Sequence, residues 1–548
     1  MKALSKIMMM ALLVAGTTAC SDSYLDTTSK STQTDENYYK TVSDAESALI
    51  GCYDGLQQAY CYDGANFLLA AEMMSDNCFA GAGTGDDTNF QAIDRFDVSY
   101  VASNNIFESQ WKYYYTALNR INTLISKEEQ IDWDGDEETR QNIMGQARAL
   151  RACCYFDLTR LFGSVPLLLE PSIEKVAEAT PAEIFAAIAE DLVYAADNIN
   201  FGAYDASEWE STYSGLISEW SAKALLGRVY LFYTGFYGAS DLAGVVTKSE
   251  ALSELEDVIS NGNFALLDDF STLWPASSRT ASTSSYTWTV DNYAGEANQE
   301  VVFSLKFDSN SDQGTNQNGV VPMMSMRNTY MAPYGKGWGA CTVNPKLYAA
   351  YDDADTRRDA SIIDLVGEGV TTSGNFDTAG DWREYTGYTP KKYSALCYYD
   401  GTDNVVVENS AADFQYYQGQ DIFVVRYSDV LLMAAELGSS SAQSYYNQVR
   451  TRAGLSTKTV STANILEERR LEFAFEGIRY WDLLRQGLST AASTLVENQD
   501  GTDVENGGVA GTIEISLADI TEKGGLCQKP LNQITLTGTD YITQNTGW

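Results

Sequence analysis

Histidine does not occur in the 548 residues of this chain. Its absence excludes Ser-His-Asp and Cys-His nucleophiles, HExxH zinc sites and any histidine general base. Zinc is excluded on a second ground, because none of the nine cysteines forms a C-x-x-C pair. Basic residues are scarce: 36 Lys and Arg stand against 75 Asp and Glu, for a net charge of −39. Such a chain repels phosphate backbones and anionic lipid, which excludes nucleic-acid binding and a basic-patch membrane contact. Beyond the N-terminus no apolar run approaches the ~20 residues a spanning helix needs. Gly81, Gly83 and Gly85 make no phosphate cradle, since no Lys-Ser/Thr follows and no strand leads in. Asp308-x-Asn310-x-Asp312 begins like an EF-hand loop, but Gln313 and Gly319 occupy the positions that need glycine and glutamate. No cofactor is expected, and only an irregular structural calcium site stays open. Carboxylate pairs survive as a catalytic option, since 75 acidic residues cannot exclude them.

What is present starts with an export signature. Lys2 and Lys6 precede a nine-residue apolar run, Ile7 to Ala15, followed by the small residues Gly16-Thr-Thr-Ala19 and then Cys20. Small residues immediately before a cysteine resemble a lipobox, with Thr17 where leucine is usual. The expectation is a signal peptide over 1–19, acylation of Cys20, and a polar lipid-anchored tether over 20–35. The eight cysteines after Cys20 show no framework of spacings, so most are expected to be free and buried.

From there the chain is patterned as helices. Val42 to Leu56, Phe67 to Met74, Asn105 to Ile125 and Glu138 to Phe162 carry apolar residues at three- and four-residue steps. Trp111, Tyr155, Trp220 and Trp481 lie in such stripes and are expected in the core. Helix, short turn and helix recur at Pro181 to Ile199 with Ser218 to Tyr233, and at Arg426 to Leu437 with Ser441 to Arg452. This is the form of a tetratricopeptide-like scaffold without a strict repeat. Between 265 and 425 the helical period fades into Gly, Ser, Thr, Asn and aromatic residues with short β-prone runs such as Val301 to Phe307. The fold class is therefore mainly α, with a helical region over 36–264, a loop-rich lobe containing short strands over 265–425, and a C-terminal helical region and tail over 426–548.

The most ordered pattern is Ile465 to Gln486. Leu471, Ala474, Ile478 and Trp481 fall on one helical face, and opposite charges stand three apart at Glu467/Arg470, Arg469/Glu472, Glu476/Arg479 and Asp482/Arg485. Gly477 interrupts this helix at a cost of ~1 kcal/mol and predicts a kink or a close contact. Structural ion pairing explains these charges better than catalysis does. Glu467, Arg469, Glu472, Phe473, Phe475, Glu476, Gly477, Arg479, Asp482, Leu483 and Arg485 together resemble the C-terminal signature of the SusD/RagB family. Leu150-Arg-Ala152 with Phe162-Gly-Ser-Val-Pro166, Asn298-Gln-Glu-Val-Val-Phe303, Arg426-Tyr to Ala435-Glu436, Val449 to Leu455, and Gln544-Asn-Thr-Gly-Trp548 resemble its other segments in the same order.

The resemblance implies a non-enzymatic, surface-exposed lipoprotein of the outer membrane of Bacteroidetes. It would capture an oligosaccharide and pass it to a SusC-type TonB-dependent transporter, closing over the barrel like a lid. Three other readings stay open: a peptide-binding member of the same family, a carboxylate-pair glycoside hydrolase, and a tetratricopeptide adaptor without a nutrient ligand. Aromatic rings pack against sugar faces, and loop aromatics beside Gly, Asn and Ser are the better candidates. Those are Trp288, Tyr293, Tyr330, Tyr334 and Trp338, with Phe79 and Phe90 near the glycine-rich run at 81–87.

Overall fold

The computed structural model describes residues 38–61, 66–281, 288–308, 317–327, 332–372, 381–399, 404–406, 414–415 and 418–548. Cys20 and Tyr330 lie outside the described residues. Helix α1 (Val42–Cys61) is followed by the short helices α2 (Phe67–Met73) and α3 (Asn89–Arg95). The long helices α4 (Glu108–Ser126) and α5 (Glu137–Phe162) come next. The sequence encodes these boundaries locally. Asp136 caps α5 by accepting from the Thr139 N–H at 3.0 Å. Helix α6 (Pro181–Asn198) opens with a Thr180/Glu183 capping box and a first-turn proline. Helices α7 (Glu219–Tyr237) and α8 (Lys248–Asn261) begin with comparable reciprocal caps at Ser218 and Thr247.

Each helix buries its apolar stripe against the next. Helix α1 packs on α4 and α5, α5 on α6, α6 on α7, and α7 on α8. Trp111, Tyr114, Leu118 and Ile121 of α4 are buried in this seam, as are Tyr155, Trp220 and Trp481 elsewhere in the core. A fully buried side chain of this size contributes roughly 1.5–3 kcal/mol. The result is a mainly helical, tetratricopeptide-like scaffold. Among the described residues no helix is long and apolar enough to cross a membrane.

Among its described residues, the segment between α8 and residue 425 holds short two-stranded pairings and short helices such as Pro345–Ala350 and Arg357–Ser361. Strand β1 (Cys78–Ala80) and strand β2 (Val301–Leu305) find their partners far along the chain, in β3 (Cys341–Val343) and β4 (Ile422–Arg426) respectively, both antiparallel. All five residues of β2 are buried. Strand β4 runs directly into helix α9 (Tyr427–Glu436), which pairs with α10 (Ala442–Arg452). A satellite core separate from the main one holds Met326, Ile363, Leu365, Trp382 and Leu396.

The Ile465–Gln486 stretch is not one helix. Helix α11 (Thr462–Glu472) stops, the backbone turns through Phe475 (φ +69°) and Gly477 (φ +71°), and helix α12 (Arg479–Leu484) begins afresh. The turn redirects the charges. Of the four pairs expected along one helix only Asp482–Arg485 forms, at 2.9 Å. Arg470 and Arg479 instead reach Asp76, at 3.2 and 2.7 Å. Arg469 joins Asp429 and Asp482. Glu472 receives Arg357, Arg426 and Arg452 at 3.1, 2.8 and 2.5 Å. The kink therefore exchanges weak local pairs for buried tertiary ones.

The described cysteines Cys52, Cys78, Cys154, Cys341, Cys397 and Cys527 are free and buried, with Cys153 half-buried. Burial pushes the Cys52 and Cys397 thiols up to about 12, so neither is nucleophilic at neutral pH.

Candidate ligand-binding surface

Four of the expected aromatic residues, Trp338, Trp288, Tyr293 and Phe90, keep part of their surface open, and the first three have a guanidinium beside the ring. Trp338 is half-buried. Its ring meets Phe414 edge-on at 5.2 Å, and the Arg327 guanidinium lies 5.6 Å from its centroid. Trp288 and Tyr293 are half-buried on either side of Arg279, whose guanidinium stands 4.9 and 4.7 Å from the two rings. Asp291 holds that guanidinium through Nε at 2.8 Å. Each arrangement fixes a ring by a cation on one side, leaving an orientated aromatic surface at the edge of the lobe.

The other expected rings are placed differently. Tyr334 is 5% exposed, packs in the satellite core, and donates its hydroxyl to Glu368 at 2.6 Å. Burial, with the Glu368 carboxylate beside it, drives its phenol far above the usual range. Phe79 is wholly buried with Val504 and Ile513. Both rings are core in this structure, because β1 and the 334–337 segment each have a second layer of chain over them. Phe90 is half-buried and packs on the main core.

Beside Trp338 runs the glycine-rich loop 81–87. The Gly81 and Ala82 amides donate to the Ala340 and Gly339 carbonyls at 2.8 and 2.6 Å. This approach requires glycine. A Cβ on Gly81 would sit 2.1 Å from the Gly339 oxygen, and one on Gly339 (φ +61°) would sit 2.8 Å from the Trp382 indole nitrogen. Thr84, Gly85, Asp86 and Asp87 are exposed at the tip. Arg327 ties that tip to the aromatic surface: Nη1 reaches Asp86 at 3.5 Å and the Trp338 carbonyl at 3.3 Å, and Nη2 donates to Asp381 at 2.6 Å. Burial opposes ionisation of Asp381, yet Arg327 and Thr84 hold its carboxyl below the usual range.

The surface offers stacking and hydrogen bonding. Two carboxylates, Asp86 and Asp381, reach solvent on the Arg327 guanidinium, with side chains 52% and 41% exposed. Asp94 and Glu384 lie beneath the loop, each 1% exposed. Burial, and then the charge of Glu384, pushes Asp94 well up, while burial alone leads for Glu384, at about 7 despite Arg95. Among the described residues no group of three or more Cys, Asp or Glu side chains is arranged to hold a metal ion. Sequence reasoning missed Arg327, Arg383, Phe414 and Trp382. The available signal was the occurrence of scarce basic residues beside aromatics in the loop-rich lobe.

Comparison with known proteins adds to this geometry. Residues 299–548 match a model described as SusD family, and residues 23–231 match one described as starch-binding associating with outer membrane. A SusD-like protein P2 from Formosa agariphila is 26% identical over 478 residues, covering 82% of this chain and 85% of that protein. A SusD-like protein from Bacteroides ovatus is 23% identical, covering 88% of this chain and 82% of its own. Among solved structures, a laminarin binding SusD-like protein is 26% identical with a TM-score of 0.71, covering 93% of this chain and all of its own. Surface glycan-binding protein A from Bacteroides thetaiotaomicron, solved in complex with laminarihexaose, is 22% identical with a TM-score of 0.72, covering 92% of this chain and all of its own.

Proposed function

The chain belongs to the SusD/RagB family, and from that membership and its aromatic lobe surface we propose that it is a non-enzymatic, cell-surface glycan-binding lipoprotein. It captures an oligosaccharide on the Trp338 side of the lobe and delivers it to a SusC-type TonB-dependent barrel in the outer membrane, over which it closes. Cys20 carries the lipid anchor. Trp288 and Tyr293 form a second contact surface on the same lobe.

The observation that carries this reading is the half-buried Trp338 ring held between Phe414 and Arg327, beside a loop tip of exposed hydroxyl, carboxylate and backbone groups. A flat ring takes the apolar face of a pyranose, and neighbouring polar groups fix its orientation. The family model described as starch-binding, and the two neighbours named for laminarin and laminarihexaose, support a glucan as cargo.

The test is calorimetric titration of residues 21–548 with laminarin, laminarihexaose, starch oligosaccharides and a peptide panel, with product analysis on the same mixtures. Saturable glycan binding without product is expected, and Trp338→Ala should weaken it by about 1–3 kcal/mol, the scale of one lost aromatic stack. Peptide binding alone would move the cargo class. Product formation would bring a carboxylate-pair hydrolase forward. For the anchor, Cys20→Ala is expected to release the protein from the membrane fraction, and retention there without lipid would refute the assignment.

A further inference from the structure

We propose that Arg383 is a positioning residue that holds the tip of the glycine-rich loop as a preformed wall beside the Trp338 ring; this rests on the reading that the ring faces the ligand. A single guanidinium makes four bonds into this short stretch. Nη1 donates to the Asp87 carbonyl at 2.9 Å and to the Gln91 side-chain oxygen at 2.8 Å. Nη2 donates to the Thr84 and Asp86 carbonyls at 3.2 and 3.0 Å. The planar fork of Arg suits two adjacent sets of acceptors, whereas a Lys ammonium supplies one point of contact.

The loop has two parts with different supports. Its base, residues 81–83, is strapped by backbone bonds: Gly81 and Ala82 donate to the 339–340 carbonyls, and the Arg383 amide itself donates to the Ala82 carbonyl at 2.9 Å. Its tip, residues 84–87, is exposed and receives the guanidinium. Gly85 within the tip, next to Gly83 at its root, raises the entropy that must be lost for the tip to adopt one shape. With Arg383 in place that cost is met in the free protein, so a ligand contacting both the tip and Trp338 does not incur it on binding. Removing the guanidinium leaves the base attached and the tip on weaker ties: the Thr84 amide to the Asp381 carbonyl at 3.3 Å, the Asp86 amide to the Gly83 carbonyl at 3.1 Å, the Gly83 amide to the Asp86 carboxylate at 2.7 Å, and Arg327 to Asp86 at 3.5 Å.

The experiment uses residues 21–548 as wild type, Arg383→Gln and Arg383→Lys. It measures amide hydrogen exchange without ligand, thermal midpoint, and calorimetric titration with laminarihexaose. Both variants are expected to speed exchange at residues 84–87 by about tenfold, to leave residues 81–83 and the helical core unchanged, and to bind laminarihexaose about tenfold more weakly through a less favourable entropy. Wild-type exchange at 84–87 in Arg383→Gln would overturn the proposal. So would faster exchange there with wild-type affinity, or full recovery by Arg383→Lys. Faster exchange throughout the chain would assign Arg383 to global stability and also overturn it. If wild type binds no glycan, the capture reading fails, and the exchange comparison alone decides whether Arg383 holds the tip.

Discussion

Arg426 is the residue whose loss should be felt most. It lies at the end of β4, is 1% exposed, and bonds Glu300 at 2.6 Å, Glu472 at 2.8 Å, and both oxygens of Glu476 at 2.8 Å. Around it five cations, Arg357, Lys392, Arg426, Arg450 and Arg452, face five carboxylates, Glu300, Asp355, Glu468, Glu472 and Glu476. Arg426→Met retains most of the volume but leaves one buried carboxylate without a matching charge. Glu300 loses one of its two bonds to cations and the Glu472 carboxylate one of its three, whereas Glu476 loses two of three and keeps only the one from Lys392, so Glu476 bears most of the loss. Removing one partner from a buried pair costs about 3–5 kcal/mol, and the same range is expected here. Denaturant unfolding followed by tryptophan fluorescence would measure it. Adding Glu476→Gln should recover more than half of the loss, because the uncompensated charge is gone. Acid gives an independent reading. Burial alone would raise Glu472, but Arg452, Arg426 and Arg357 hold it well below its usual range, so its stabilisation is present above the ordinary glutamate range and is lost as pH falls below it. The variant should therefore lose less stability than wild type on acidification. A loss under about 1 kcal/mol in Arg426→Met, or no recovery in the double variant, would refute the charge-balance argument.

Two further outcomes follow from the same region. Glu72 is wholly buried, accepts from the Gly477 amide at 2.6 Å, and is pushed up to about 8 by burial, partly offset by that bond. A raised folded value means its contribution is fully present below the ordinary glutamate range and is lost as pH rises toward 8, with a slope of at most ~1.4 kcal/mol per pH unit. Glu72→Gln should flatten the stability profile between pH 5 and 8 (roughly the window those two values set), and an unchanged slope in calorimetric melts would contradict it. Gly477→Ala places a Cβ only 3.4 Å from Leu68 Cγ, an ordinary contact, so its cost is the left-handed backbone alone, about 1–2 kcal/mol. A thermal midpoint equal to wild type would show that the turn relaxes.

The helical pairs were legible in the sequence because their causes are local. Apolar residues three and four apart define each stripe, and Thr180/Glu183 or Thr247/Glu250 mark where a helix starts. Exclusion was equally legible: without histidine, whole classes of catalysis are absent whatever the fold. Ile465–Gln486 misled because its charge spacing suits one helix. The turn at Phe475–Gly477 depends on Glu72, Leu68 and Ala71, about 400 residues away in sequence.

The loop aromatics show the same division. Composition identified rings in loops, but whether a ring is core or surface depends on what crosses over it. Phe79 is closed off by Val504 and Ile513, and Tyr334 by Ile363, Leu365, Trp382 and Leu396, whereas Trp338 keeps an open side. Residue types and their short-range spacing thus determined helices, caps, charge and excluded chemistry. Pairings such as Arg426 with Glu300, or Arg383 with the 84–87 carbonyls, were decided by the tertiary structure alone. They join segments over a hundred residues apart, and no short-range pattern encodes such a meeting.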